Sequence, residues 1–155
     1  MALGKKTIKI IEHKFYNYEK IKKAVAEARA EQGSKGGITG GNNGHSRVSD
    51  PTAATAISHA TPIACVTIQD GLYDTKIYNP EKWVKIIDYT FKIYGNRLEA
   101  VLAKRKYLKK EDVDFIVENM CISKATYYNW RLDFVTQAVF FAVAENLIDV
   151  NEIAL

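Results

Sequence analysis

The chain has 155 residues, 47% hydrophobic and 26% charged, which is enough apolar material for one modest core and excludes a wholly disordered polymer. A formal charge of +4 at pH 7 is mildly basic, which suits a nucleic-acid partner without requiring one. The 2 cysteines form no CxxC pair and have no histidine at ligand spacing, which argues against a zinc site or a disulfide framework. Cys65 and Cys121 therefore read as buried thiols in a reducing compartment.

Along the chain, MALGKKTIKIIEHK carries too short an apolar run for a signal peptide or membrane anchor, so a cytoplasmic protein with no membrane partner is expected. Residues 14–32 place Ile21, Val25 and Ala28 at helical spacing among Lys and Glu. That pattern predicts one amphipathic helix within an N-terminal arm, residues 1–32, that packs on another element. Residues 33–49 read as a flexible linker, because 33–47 hold six of the nine glycines and bury too little to offset ordering. A phosphate-binding loop is disfavoured, since no GK[ST] closes the run and no strand leads into it.

A helical domain is expected over 50–155. Ser49 or Asp50 caps a short helix with Pro51 in its first turn, ending near Ala60. Residues 63–78 switch to alternation around Asp70-Gly71, which predicts a β-hairpin. Asn79-Pro80-Glu81 then starts a helix carrying Trp83, Ile86, Ile87, Thr90, Phe91 and Tyr94. Gly95-Asn96 interrupts it, and Leu98, Val101, Leu102 and Arg105 continue the period until Tyr107. The expected class is mainly α, with one small hairpin and a C-terminal helix-turn-helix at 111–131.

That last segment, EDVDFIVENMCISKATYYNWR, places Ile116, Val117 and Met120 on one apolar face, with Ile122 plugging the turn. Ser123 can cap the second helix by accepting from Ala125 or Thr126, and Tyr127 and Trp130 face inward. Cys121 stands where a left-handed backbone, and so glycine, is common. The second helix is expected from Lys124 to about Leu147, with AVFFAVAENLI apolar on most sides as core or oligomer contact.

The pattern leaves Lys124, Thr126, Tyr128, Asn129 and Arg131 on the outer face, at the end such motifs lay in the major groove. Asn129 and Arg131 are the expected base readers and Lys124 a phosphate partner. Lys104, Arg105, Lys106, Lys109 and Lys110 form a basic run suited to the phosphate backbone, or to plain solvent exposure. His13, His45 and His59 are scattered and no nucleophile and base stand together, so no metal, no cofactor and no enzyme activity is expected.

A glycine-rich stretch ending in SRVSDPTA (Ser46 to Ala53), a middle helix ending in basic residues and Tyr107, and ISKATYYNWR (Ile122 to Arg131) together resemble the RinA/ArpU group of phage and prophage transcriptional regulators. The C-terminal part resembles region 4 of bacterial sigma factors, which reads promoter −35 elements. The chain departs from the pattern in its hairpin at 63–78 and in the charged segment after Tyr107. The resemblance implies a bacterial host cell, double-stranded DNA as ligand, activation of late packaging and structural genes, and contact with RNA polymerase; self-association through the C-terminal helix is expected from that helix's apolar character. The competing expectation is a small terminase subunit, which sets a compact helix-turn-helix beside oligomerising helices and loads viral DNA for packaging.

Overall fold

The computed structural model describes residues 3–34 and 61–152; the expected helix at 50–60, the SDPTA segment and most of the glycine-rich run lie outside them. The described residues form six α-helices and one antiparallel hairpin. They divide into two compact units, one comprising the residues up to Glu19 with those from Lys82 onward, the other spanning Lys20–Glu81.

The expected single helix over 14–32 is two helices, α1 (Lys5–Tyr16) and α2 (Tyr18–Ser34). Asn17 separates them: its backbone leaves the helical region, and its side-chain amide donates to the His13 carbonyl at 3.1 Å. Asparagine competes for backbone groups in this way and so favours helix ends.

In the Lys20–Glu81 unit, β1 (Cys65–Asp70) pairs with β2 (Tyr73–Tyr78), Asp70 opposite Tyr73. The turn is therefore Gly71-Leu72, with Gly71 at φ +65, a conformation that glycine adopts without steric penalty. Val66, Ile68 and Ile77 are buried, as is Ile21 of α2. Arg29 of α2 donates to Glu81 at 2.5 and 2.8 Å and to the Thr61 carbonyl at 2.9 Å, and Glu81 accepts from the Ile63 amide at 3.0 Å.

The other unit is built on aromatic packing. Phe15 of α1, buried at i+4 from Ile11, lies 5.1 Å from Tyr107, 5.4 Å from Phe134 and 6.0 Å from Phe91 between ring centroids. Phe91 and Tyr94 belong to α3 (Pro80–Tyr94), which opens with proline in its first turn and ends where Gly95 turns to φ +56. The period resumes in α4 (Leu98–Ala103) and widens into a π turn over Lys104–Leu108, where the Lys109 amide reaches back to the Lys104 carbonyl. Two more helices follow, α5 (Val113–Asn119) and α6 (Lys124–Ala144). A left-handed Asn146 closes α6 three residues before the expected end, its amide and that of Leu147 bonding the Val143 and Ala142 carbonyls.

Candidate nucleic-acid interface

The geometry of α5 and α6 follows from local chemistry at their ends. Asp112 caps α5 by accepting from the Asp114 amide at 2.9 Å. At its other end Cys121 adopts φ +51, the Cys121 amide bonds the Glu118 carbonyl and the Ile122 amide bonds the Val117 carbonyl, both at 3.1 Å. That bond pair is a Schellman closure, and Ile122 and Val117 share one apolar cluster as such closures favour. Ser123 then caps α6, its Oγ accepting from the Thr126 amide at 3.0 Å. The residues expected inward meet in that cluster: Leu102, Ile116 and Tyr127 are buried, with Val113, Val117, Met120, Ile122 and Trp130 packed against them.

Three of the five expected reading residues are exposed. Tyr128 stands half exposed with its ring edge-on to Tyr127, and Asn129 is open to solvent. Lys124 is exposed and donates to Asp114 at 2.8 Å, a contact that raises its pKa through that hydrogen bond and the carboxylate charge. Thr126 is half-buried, with its hydroxyl 2.9 Å from that of Ser123.

Arg131 is a correction to the expected outer face. Its Nε and Nη2 donate to the two oxygens of Glu12 at 2.6 and 2.7 Å, and the Tyr107 hydroxyl donates to the same carboxylate at 2.6 Å. The reason is periodicity: four residues after Tyr127, position 131 falls on the inward side of the helix. The bond to Glu12 holds the Arg131 guanidinium charged above its ordinary range, while burial pushes the Tyr107 phenol up. Glu12 lies 119 residues away in sequence, and no local pattern announces the pairing.

Arg105 is likewise engaged, donating to Glu111 at 2.5 Å and to Asn119 at 2.8 Å, with its guanidinium 5.5 Å from the Phe115 ring. It ties the π turn to α5. Lys106 is half-buried, with its amine 6.0 Å from the Tyr16 ring. Lys104, Lys109 and Lys110 are exposed and form no ion pair among the described residues. Lys104 and Lys109 line, with Val101, Arg105 and Asn119, an open cleft of about 380 Å³. Lys110 has φ +57, the left-handed closure of the π turn. Both cysteines correct the expectation of buried thiols, since Cys65 is half-buried and Cys121, carried on the turn, is exposed.

No family model, no curated protein and no solved structure matches this chain. Among the described residues no three His, Cys, Asp or Glu side chains gather to hold a metal, and no helix is long and apolar enough to cross a membrane.

Proposed function

We propose that the chain is a sequence-specific DNA-binding regulator of transcription in which α5, the Cys121 turn and α6 act as a helix-turn-helix. The observation that carries this reading is the left-handed closure at Cys121 followed at once by the Ser123 cap. It starts α6 with Tyr127 and Trp130 inward and Lys124, Tyr128 and Asn129 outward. An asparagine there can pair with an adenine edge, and a lysine can serve guanine or phosphate. Lys124 exchanges Asp114 for DNA on binding. Lys104, Lys109 and Lys110 follow the phosphate backbone. Arg131 and Arg105 hold helices in place and read nothing. The resemblance to RinA/ArpU regulators extends the proposal to activation of phage late genes with RNA polymerase.

The test is selection of genomic fragments by the purified full chain, followed by footprinting. Asn129→Ala is expected to lose about tenfold or more in affinity and to relax one base position. Lys104→Ala and Lys109→Ala should weaken all sequences alike, each lowering the salt slope by about 1. Wild-type binding with no preference over random duplex, or unchanged binding by a Lys124→Ala, Asn129→Ala variant, refutes the assignment. A DNA-packaging role is the second reading, favoured by the exposed apolar side chains Tyr89, Ile93 and Phe140. Ring assembly with weak sequence preference would select it over the regulator.

A further inference from the structure

In a regular α-helix, at about 100° per residue, positions 104 and 109 would stand about 140° apart and face different ways. The π turn that follows α4 changes this. It closes on the bond from the Lys109 amide to the Lys104 carbonyl at 3.0 Å, so the two residues lie across one wide turn from each other. Both therefore border the same open cleft of about 380 Å³, which Val101, Arg105 and Asn119 also line. Single π turns within helices recur at functional sites, because the extra residue re-aims side chains that an α-helix would scatter.

The chemistry of the cleft selects its ligand. None of its lining residues is acidic, and Lys104 and Lys109 form no ion pair among the described residues. Arg105 is held by Glu111 at 2.5 Å and by the Asn119 side-chain carbonyl at 2.8 Å, with its side chain 14% exposed. The second bond also orients Asn119: its oxygen is engaged by the guanidinium, and its amide N–H groups are left to donate. The Lys104 amine lies 5.9 Å from the centre of the Phe91 ring, which steadies it. A planar carboxylate is gripped best by an arginine fork, and here that fork is occupied by Glu111 and Asn119. Two compact ammonium charges with a directed amide suit a phosphate group instead, whose several oxygens can meet donors from different sides.

We infer that this cleft is a seat for one phosphate group, with Lys104, Lys109 and the Asn119 amide as its donors and Arg105 as the brace that fixes Asn119. The seat exists whether or not the chain reads DNA. Where the inference rests on the DNA-binding reading, the occupant is a single backbone phosphodiester. Asn119 closes α5 and Arg105 ties the π turn to that helix, so a phosphate seated there is a fixed anchor for the helix-turn-helix rather than one more contact in a diffuse field. Contacts of that kind set the register of a reading helix without reading sequence themselves. Without DNA the same seat takes a free phosphate anion.

The first arm of the test uses the full chain without DNA. Backbone amide NMR shifts over 104–119 are followed as inorganic phosphate is added at constant ionic strength, with sodium chloride as the control. A saturable shift is expected, with a Kd on the order of 1 mM. The pair Lys104→Gln with Lys109→Gln, and separately Asn119→Asp, should each raise that Kd about tenfold or more. Asn119→Asp keeps the oxygen that Arg105 uses and changes the charge that faces the ligand; an unaltered amide spectrum elsewhere confirms that the variant is folded. No saturable shift, an equal response to chloride, or a Kd indifferent to both variants overturns the inference. The second arm places single neutral methylphosphonates along a bound duplex. A position that costs the wild type about tenfold and costs the double lysine variant nothing identifies the DNA backbone as the source. Phosphate binding in the first arm with no such position assigns the seat to a free phosphate anion. Sequence-specific DNA binding without the first-arm shift removes the seat and leaves the regulator, whereas a filled seat in a chain that prefers no sequence removes the regulator and leaves the seat.

Discussion

Replacing Glu12 by alanine removes one carboxylate and strands three donors on two side chains. The carboxylate accepts from Arg131 Nε at 2.6 Å, from Arg131 Nη2 at 2.7 Å and from the Tyr107 hydroxyl at 2.6 Å, with side chains 13% exposed for Glu12 and 27% for Arg131. Losing one member of a fully buried ion pair costs about 3–5 kcal/mol, because the remaining charge has neither water nor partner. The guanidinium here keeps partial access to solvent, so we expect a loss near the low end, about 3 kcal/mol. For a domain of this size that corresponds to a fall in Tm of roughly 6–12 °C. The apolar pair Glu12→Leu with Arg131→Met should recover most of it, since a well-packed isostere carries no stranded charge. Urea unfolding of the two single variants and the double closes a cycle that isolates the coupling. A Glu12→Ala loss below about 1 kcal/mol would sink the claim that this network holds α6. If the chain reads DNA as proposed, the same double variant should keep that preference. If it folds and loses sequence preference, Arg131 reads bases after all.

Two further expectations concern buried tyrosines. The Tyr127 hydroxyl is buried with no hydrogen-bond partner among the described residues, so Tyr127→Phe should be neutral or stabilising by about 1 kcal/mol; a destabilisation of that size in urea unfolding would reveal a partner. Burial pushes the phenols of Tyr94 and Tyr127 up from 10.0 to about 12, Tyr94 also feeling Asp133, and pushes Tyr107 up as well. A folded pKa above the unfolded one stabilises below the unfolded value and loses that contribution above it, so stability should fall as pH rises from 10 toward 12. In an absorbance titration of the 9 tyrosines, this group should ionise late and together with unfolding. Ionisation of all nine near pH 10 with helicity intact would contradict the burial.

Local chemistry made much of the fold legible. Periodicity and turn residues placed the hairpin, the Pro80 start, the Gly95 break and the Ser123 cap, because each depends on neighbours within a few residues. The exceptions had nearby causes too: Asn17 split a helix that Ile21, Val25 and Ala28 had made look continuous, and counting four residues from Tyr127 would have turned Arg131 inward.

By itself the sequence determined the hairpin, the helix boundaries at Pro80, Gly95 and Ser123, and the apolar residues on the inner face of α5 and α6, since backbone capping and apolar spacing act over one or two turns. Only the tertiary structure decided which charged residues remain free. Glu12 and Arg131 are distant in the chain, and Arg105 turns to Glu111 and Asn119 only once the π turn abuts α5. A cation's availability to a ligand depends on the partners that folding brings to it, and those are set by packing between elements rather than by spacing within one. Of the residues expected to meet DNA, Lys104, Lys109, Lys110, Tyr128 and Asn129 stay exposed and form no ion pair among the described residues, with Lys124 one ion pair away.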